Sequence, residues 1–141
     1  MHQGGTAGMG MRFRGIRGAI TVEVNHPEAI LQATTELLAE MMRANDLRVE
    51  DVASAFFTTT RDLNAEFPAV AANNMGWADV ALLCGHEMDV PGSLAMCLRI
   101  LLHVNMEKDA HQLVHVYLGG AKVLRPDRSE KQDKATEATA P

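Results

Sequence analysis

Aromatic residues are scarce in this chain, with one Trp, one Tyr and four Phe making up 4% of 141 residues. A core built on stacked rings is therefore excluded, and burial falls to Leu, Val, Ala and the nine methionines. Cysteine is limited to Cys84 and Cys97, too few for a disulfide scaffold and in keeping with a reducing compartment, although the sequence leaves their pairing open. No apolar run reaches the roughly 18 to 20 residues that span a bilayer. The N-terminus also lacks the basic-then-apolar order of a secretory signal, so a cytoplasmic location and no membrane partner are expected. Positive charge is in deficit, 13 Lys and Arg against 18 Asp and Glu for a net charge of -5. That balance excludes a broad nucleic-acid footprint, and an anionic ligand has to be gripped locally. The glycines around Gly15 and Gly18 have the wrong spacing for a phosphate loop, and no helix opens there.

What is present fits one domain with a real core. Residues 1–10 are glycine-rich and unpatterned and read as a flexible N-terminal extension, and 127–141, with no apolar residue larger than Ala, as a flexible C-terminal tail. The domain is expected over 11–126. Within it, Arg12 to Val22 alternates as a strand, with Ile16, Gly18, Ile20 and Val22 on one face and Phe13, Gly15, Arg17 and Ala19 on the other. Asn25 is placed to cap a helix with Pro27 in its first turn, continued by Ile30, Ala33, Leu37, Leu38, Met41 and Met42 at helical spacing. Val52 to Thr60 suits a strand, and Pro68 to Met75 a short helix stopped by Gly76. Val80 to Cys84 reads as a buried strand. Leu94 to Val104 fits both strand alternation and a helix face, and strand is preferred. His115 to Leu118 is a short strand, and Val123-Leu124 resumes an extended run after Gly119-Gly120. The order predicts an α+β fold, a mixed sheet with one long and one short helix on one face.

Several residues stand out for chemistry, each with a plainer alternative. Arg12, Arg14 and Arg17 together read as a solvated basic edge strand, or as one Arg turned inward. Glu87 follows an apolar strand, where loop residues are commonly functional; alone it is a surface carboxylate. Arg99 is more telling, because it interrupts an apolar run in which a permanent charge is costly unless an anion, Glu87 or a ligand, faces it. Tyr117 is by itself a core residue whose hydroxyl finds a partner, and Arg125 a strand-end surface residue. His111 and His115 lack an obvious third metal ligand, and His86 beside Cys84 lacks the orienting group and oxyanion site of a nucleophilic pair.

Individually weak, these segments become specific in combination: Arg14-Gly15-Ile16-Arg17-Gly18-Ala19, Asp62-Leu63 with Phe67-Pro68-Ala69, Glu87-Met88-Asp89-Val90, Arg99, His115-Val116-Tyr117-Leu118 and Leu124-Arg125-Pro126-Asp127. From about Met11 to Asp127 the chain closely resembles the AroH-class chorismate mutases. The resemblance implies a homotrimer forming a pseudo-α/β barrel, with sites in clefts between subunits, and turnover of chorismate to prephenate without a cofactor or metal. It implies that Arg99 reaches the ether oxygen, Arg17 a substrate carboxylate and Glu87 the ring hydroxyl. Cys84, Tyr117 and Arg125 then complete the polar lining. Phe67, Ala69 and Leu124 shape the pocket, the first two coming from the adjacent subunit. Two departures stand out, since the family often carries Arg near Asn73 and a charged residue at Val70; Leu83 also replaces a residue that is often polar. Weaker substrate attraction is expected. A fold alone does not set the reaction, so a trimeric deaminase of imines and a non-catalytic carboxylate binder remain the rival expectations.

Overall fold

The alternation of β1 (Arg12–Thr21) sets the layer order of the molecule, which is a computed structural model describing residues 10–125. Both terminal segments, the expected extension up to residue 9 and the expected tail, lie outside the described residues. Ile16, Gly18 and Ile20 are buried on one face of β1. A Cβ at Gly18 would lie 2.4 Å from Met41 Sδ and 3.1 Å from Leu37 Cδ1, so this face lies directly under the long helix. That helix, α1 (Pro27–Ala44), buries Ile30, Ala33, Thr34, Leu37, Leu38 and Met41 along one stripe. Thr34, fully buried, satisfies its hydroxyl on the Ile30 carbonyl at 2.7 Å.

The cap of α1 is a correction to the sequence reading. His26, not Asn25, caps the helix, its Nδ1 accepting the Glu28 N–H at 3.2 Å. With Pro27 already at the first helical position, the cap falls one residue later than the Asn. Asn25 instead braces the chain after the second strand: its Oδ1 accepts the N–H groups of Asn64 and Ala65 at 3.0 Å each, and its Nδ2 donates to Asn64 Oδ1 at 2.8 Å.

The remaining elements are β2 (Val52–Thr59), α2 (Ala69–Asn74), β3 (Ala81–His86), β4 (Cys97–Met106) and β5 (Val116–Leu118). They build a five-stranded sheet in the order β3-β2-β4-β1-β5. The central strand β4 runs antiparallel to β1 and β2, while the β1–β5 and β2–β3 pairs are parallel. α1 packs on β1 and on α2, so both helices share one face, as the α+β expectation requires. The strand reading of Leu94–Val104 holds, with Leu98, Ile100, Leu102, Val104 and Met106 buried in alternation. β4 starts only at Cys97 because Met96 is left-handed at φ +52°, held there by its N–H donating to Asp62 Oδ2 at 2.9 Å.

Two further expectations fail. β3 is not buried: it is an edge strand with Leu83 59% exposed, and a local run of apolar residues carries no information about strand order. Val123-Leu124 is not extended either, since Gly119–Leu124 forms a 3-10 turn. The turn opens at left-handed Gly119, φ +57°, and is pinned where the Gly120 N–H donates to Thr21 Oγ1 at 2.7 Å.

Among the described residues, the sheet face away from the helices is covered at one end, where Ala121 and Leu124 of this turn pack with buried Ala19 and Cys97. It presents Phe13, 63% exposed, together with Phe56 and Leu83. His103 stacks on the Phe13 ring at 5.4 Å and meets Phe56 edge-on at 5.8 Å. No helix among the described residues is long and apolar enough to cross a membrane.

Candidate active site

Sheet register builds the site on this face, away from the helices. Arg99 on β4 lies directly opposite Thr58 on β2 and Ala19 on β1, and Ala19 lies opposite Tyr117 on β5. Directly opposed residues share a face, so a single row across four strands carries hydroxyl, guanidinium, methyl and phenol side by side. Arg17, two residues before Ala19, projects from the same face. Between them lies a cleft of about 380 Å³ lined by Arg17, Ala19, Phe56, Thr58, Glu87, Arg99, Tyr117 and Leu124.

Alternation also explains the Arg that interrupts an apolar run. Arg99 points away from the helix-side core, and its side chain is 43% exposed. Its Nε is nonetheless buried and makes no hydrogen bond among the described residues. The nearest anion is Glu87 Oε2 at 3.7 Å, an ion pair too long to be a hydrogen bond. Glu87 itself is fixed twice, its backbone N–H on the Thr59 carbonyl at 2.9 Å and its Oε2 accepting the Thr58 hydroxyl. The Arg17 backbone N–H donates to His115 Nδ1 at 3.0 Å, so His115 serves the frame behind Arg17. Among the described residues no three metal-binding side chains gather.

The expected site residues fall into two groups. Arg17, Glu87, Arg99, Tyr117 and Leu124 share the first cleft. Phe67 and Cys84 line a second, of about 320 Å³, with Pro68 and His86. Ala69 joins that group through a hydrogen bond from its backbone to the Cys84 thiol. Arg125, exposed, lies just past the 3-10 turn and does not line either cleft. Thr58 and Phe56 were not singled out from the sequence, although their alternation with Phe57 placed them on one face.

Neither cysteine is an activated nucleophile. Burial pushes the Cys84 thiol above its ordinary pKa, the Ala69 hydrogen bond offsetting this in part. Burial raises Cys97 as well, against the opposing pull of Arg99. Both are protonated at neutral pH and poor attackers. What the first cleft offers is fixed positive charge, one carboxylate and one phenol around a small volume, a set suited to gripping and polarising a small anionic molecule.

Residues 13–128 match the family described as chorismate mutase type I. The chain is 48% identical over 120 residues to the chorismate mutase AroH of Thermus thermophilus, covering 84% of this chain and 98% of that protein. It is 44% identical over 120 residues to the chorismate mutase AroH of Bacillus subtilis strain 168, covering 84% and 94% respectively. Among solved structures it is similar to a chorismate mutase from Clostridium thermocellum, with a TM-score of 0.77 and 52% identity over 78% of this chain and 98% of that one.

Proposed function

The chain belongs to the type I chorismate mutase family, and from that premise we propose that Arg99, Glu87 and Arg17 carry its reaction in the first cleft. The enzyme is an isomerase that converts chorismate to prephenate. The rearrangement breaks an ether bond and forms a carbon–carbon bond within one dicarboxylate, so it calls for no nucleophile and no proton shuttle. The protein's task is to hold a folded conformer and to stabilise negative charge developing on the departing ether oxygen.

The observation that carries the assignment is Arg99 Nε, buried and without a hydrogen bond beside the cleft. A permanently charged donor in that condition is set for a developing oxyanion, and needs no reorganisation when the charge appears. Arg17 takes a carboxylate, Glu87 the ring hydroxyl, and Tyr117 and Leu124 close the wall. We assign Cys84, Phe67 and Ala69 to the same site seen from a neighbouring chain, with Arg125 approaching from beyond the turn. A homotrimer with sites between subunits brings the two clefts together and covers the exposed Phe13, Phe56 and Leu83.

The test is the loss of chorismate absorbance on adding purified protein, with prephenate confirmed as product and molar mass measured by light scattering. Turnover by a particle of three chains is expected. A monomer with full turnover removes the shared site, and a folded trimer without turnover leaves a carboxylate binder.

Asn73, exposed on α2, leaves the surface without the Arg often present near that position in the family. Asn73→Arg is expected to lower KM about two- to fivefold at low ionic strength, the range of one exposed charge contact, with the gain fading as salt is added. An unchanged KM at both salt levels refutes this electrostatic account.

A further inference from the structure

We infer that Thr58 is a positioning residue for this reaction, its hydroxyl holding the Glu87 carboxylate off Arg99 so that Arg99 Nε stays open to the substrate. The inference rests on the assignment of Arg99 and Glu87 proposed above. Thr58 lies on the strand between β4, which carries Arg99, and β3, whose end Glu87 follows: it is opposite Arg99 on one side and opposite Gly85, two residues before Glu87, on the other. Its β-branched side chain has restricted χ1 freedom, so the hydroxyl direction is set by the strand.

The hydroxyl donates to Glu87 Oε2, the same oxygen that faces Arg99 Nε across 3.7 Å. An unhindered guanidinium and carboxylate in a partly buried site close to roughly 2.7–2.9 Å. That closure would satisfy the otherwise unpaired Nε internally and withdraw it from the ether oxygen. Thr58 prevents it by supplying Oε2 with a competing donor on the β2 side. The Glu87 N–H on the Thr59 carbonyl, 2.9 Å, fixes the main chain from which the carboxylate reaches. Two successive residues of one strand thus set both ends of Glu87, and Oε1 is left for the ring hydroxyl of the substrate.

Steady-state kinetics on Thr58→Val, Thr58→Ser, Glu87→Ala and the Thr58→Val/Glu87→Ala double variant test this. Val matches the shape of Thr but lacks the donor, and is expected to lower kcat about ten- to hundredfold, the range for one charge-assisted hydrogen bond, with a smaller change in KM. Ser keeps the donor and is expected to retain most of the activity. In the Glu87→Ala background no carboxylate remains to collapse onto Arg99, so adding Thr58→Val should change kcat by less than about twofold. The role of Thr58 is overturned if Val turns over like the parent, if Ser is as impaired as Val, or if Val is equally damaging without Glu87. Full turnover by Glu87→Ala overturns the site assignment itself, whereas loss there with a normal Thr58→Val overturns Thr58 alone.

Discussion

Arg99→Ala is expected to lower kcat about a hundred- to a thousandfold, the loss that follows removal of one donor to a developing oxyanion. The fold should be nearly untouched. Arg99 points away from the helix-side core, with 43% of its side chain exposed, so truncation opens no cavity among the buried residues of β4. Glu87 keeps its hydroxyl partner in Thr58 and its backbone bond to Thr59, so no carboxylate is stranded. The thermal midpoint and the oligomeric state of the variant therefore remain close to those of the parent while chorismate absorbance stays almost constant. Arg99→Lys should fall between the two, because an ammonium keeps the charge but not the planar fork. Near-parent turnover by Arg99→Ala would rule out its assigned role.

Asn45→Ala is expected to cost about 2–3 kcal/mol of folding stability with no direct contact to the cleft, the range for stranding buried hydrogen-bonding groups. Asn45, 1% exposed, ends α1 and ties it to the segment that enters β5. Its Nδ2 donates to the carbonyls of Met41 and Val114, each at 2.9 Å, and its Oδ1 accepts the Val114 N–H at 2.8 Å. Its own carbonyl accepts Lys108 Nζ at 3.2 Å. Alanine removes three of these bonds at once, and partial exposure of Val114 lets water recover some of the loss, which sets the upper limit. His115, next along, accepts the Arg17 N–H, so a moderate rise in KM accompanies the lost stability. Denaturant midpoints at one fixed chain concentration provide the check, since the proposed assembly makes unfolding concentration-dependent. A shift below about 1 kcal/mol, the worth of a single ordinary hydrogen bond, would show that Asn45 is not the tie described.

Alternation carried most of what the sequence could tell. In β1 and β4 it separated the core residues Ile16, Ile20, Leu98 and Ile100 from Arg17 and Arg99, and the order of elements pointed correctly to helices on one face. It could not tell which face of which strand has a neighbour. Leu83 is as apolar as Leu98, yet one sits on an open edge strand and the other in the central strand, a difference set by pairing between distant segments. The role of Asn25 was misread for a related reason. Its partners, Asn64 and Ala65, are 39 and 40 residues away, and local capping rules see only the next turn. Thr58 escaped notice because an unremarkable Thr in a Thr-rich strand gains meaning only from the register that sets it opposite Arg99. The family resemblance supplied the candidate residues, while their grouping, with Arg17, Glu87, Arg99, Tyr117 and Leu124 around one cleft and Phe67 and Cys84 around another, belongs to the folded chain.

The missing side chain at Gly18 reaches further than the packing of one strand. Its place is filled by the thioether of Met41, which is 0% exposed and so cannot swing out to solvent. Position 18 can acquire a side chain only if position 41 surrenders volume, or if the helix rides up and carries β1 with it. The second route displaces Arg17 and Ala19, the residues on either side of the glycine, from the floor of the cleft. A helix residue outside the cleft thus limits which side chains position 18 can carry while the site keeps its shape.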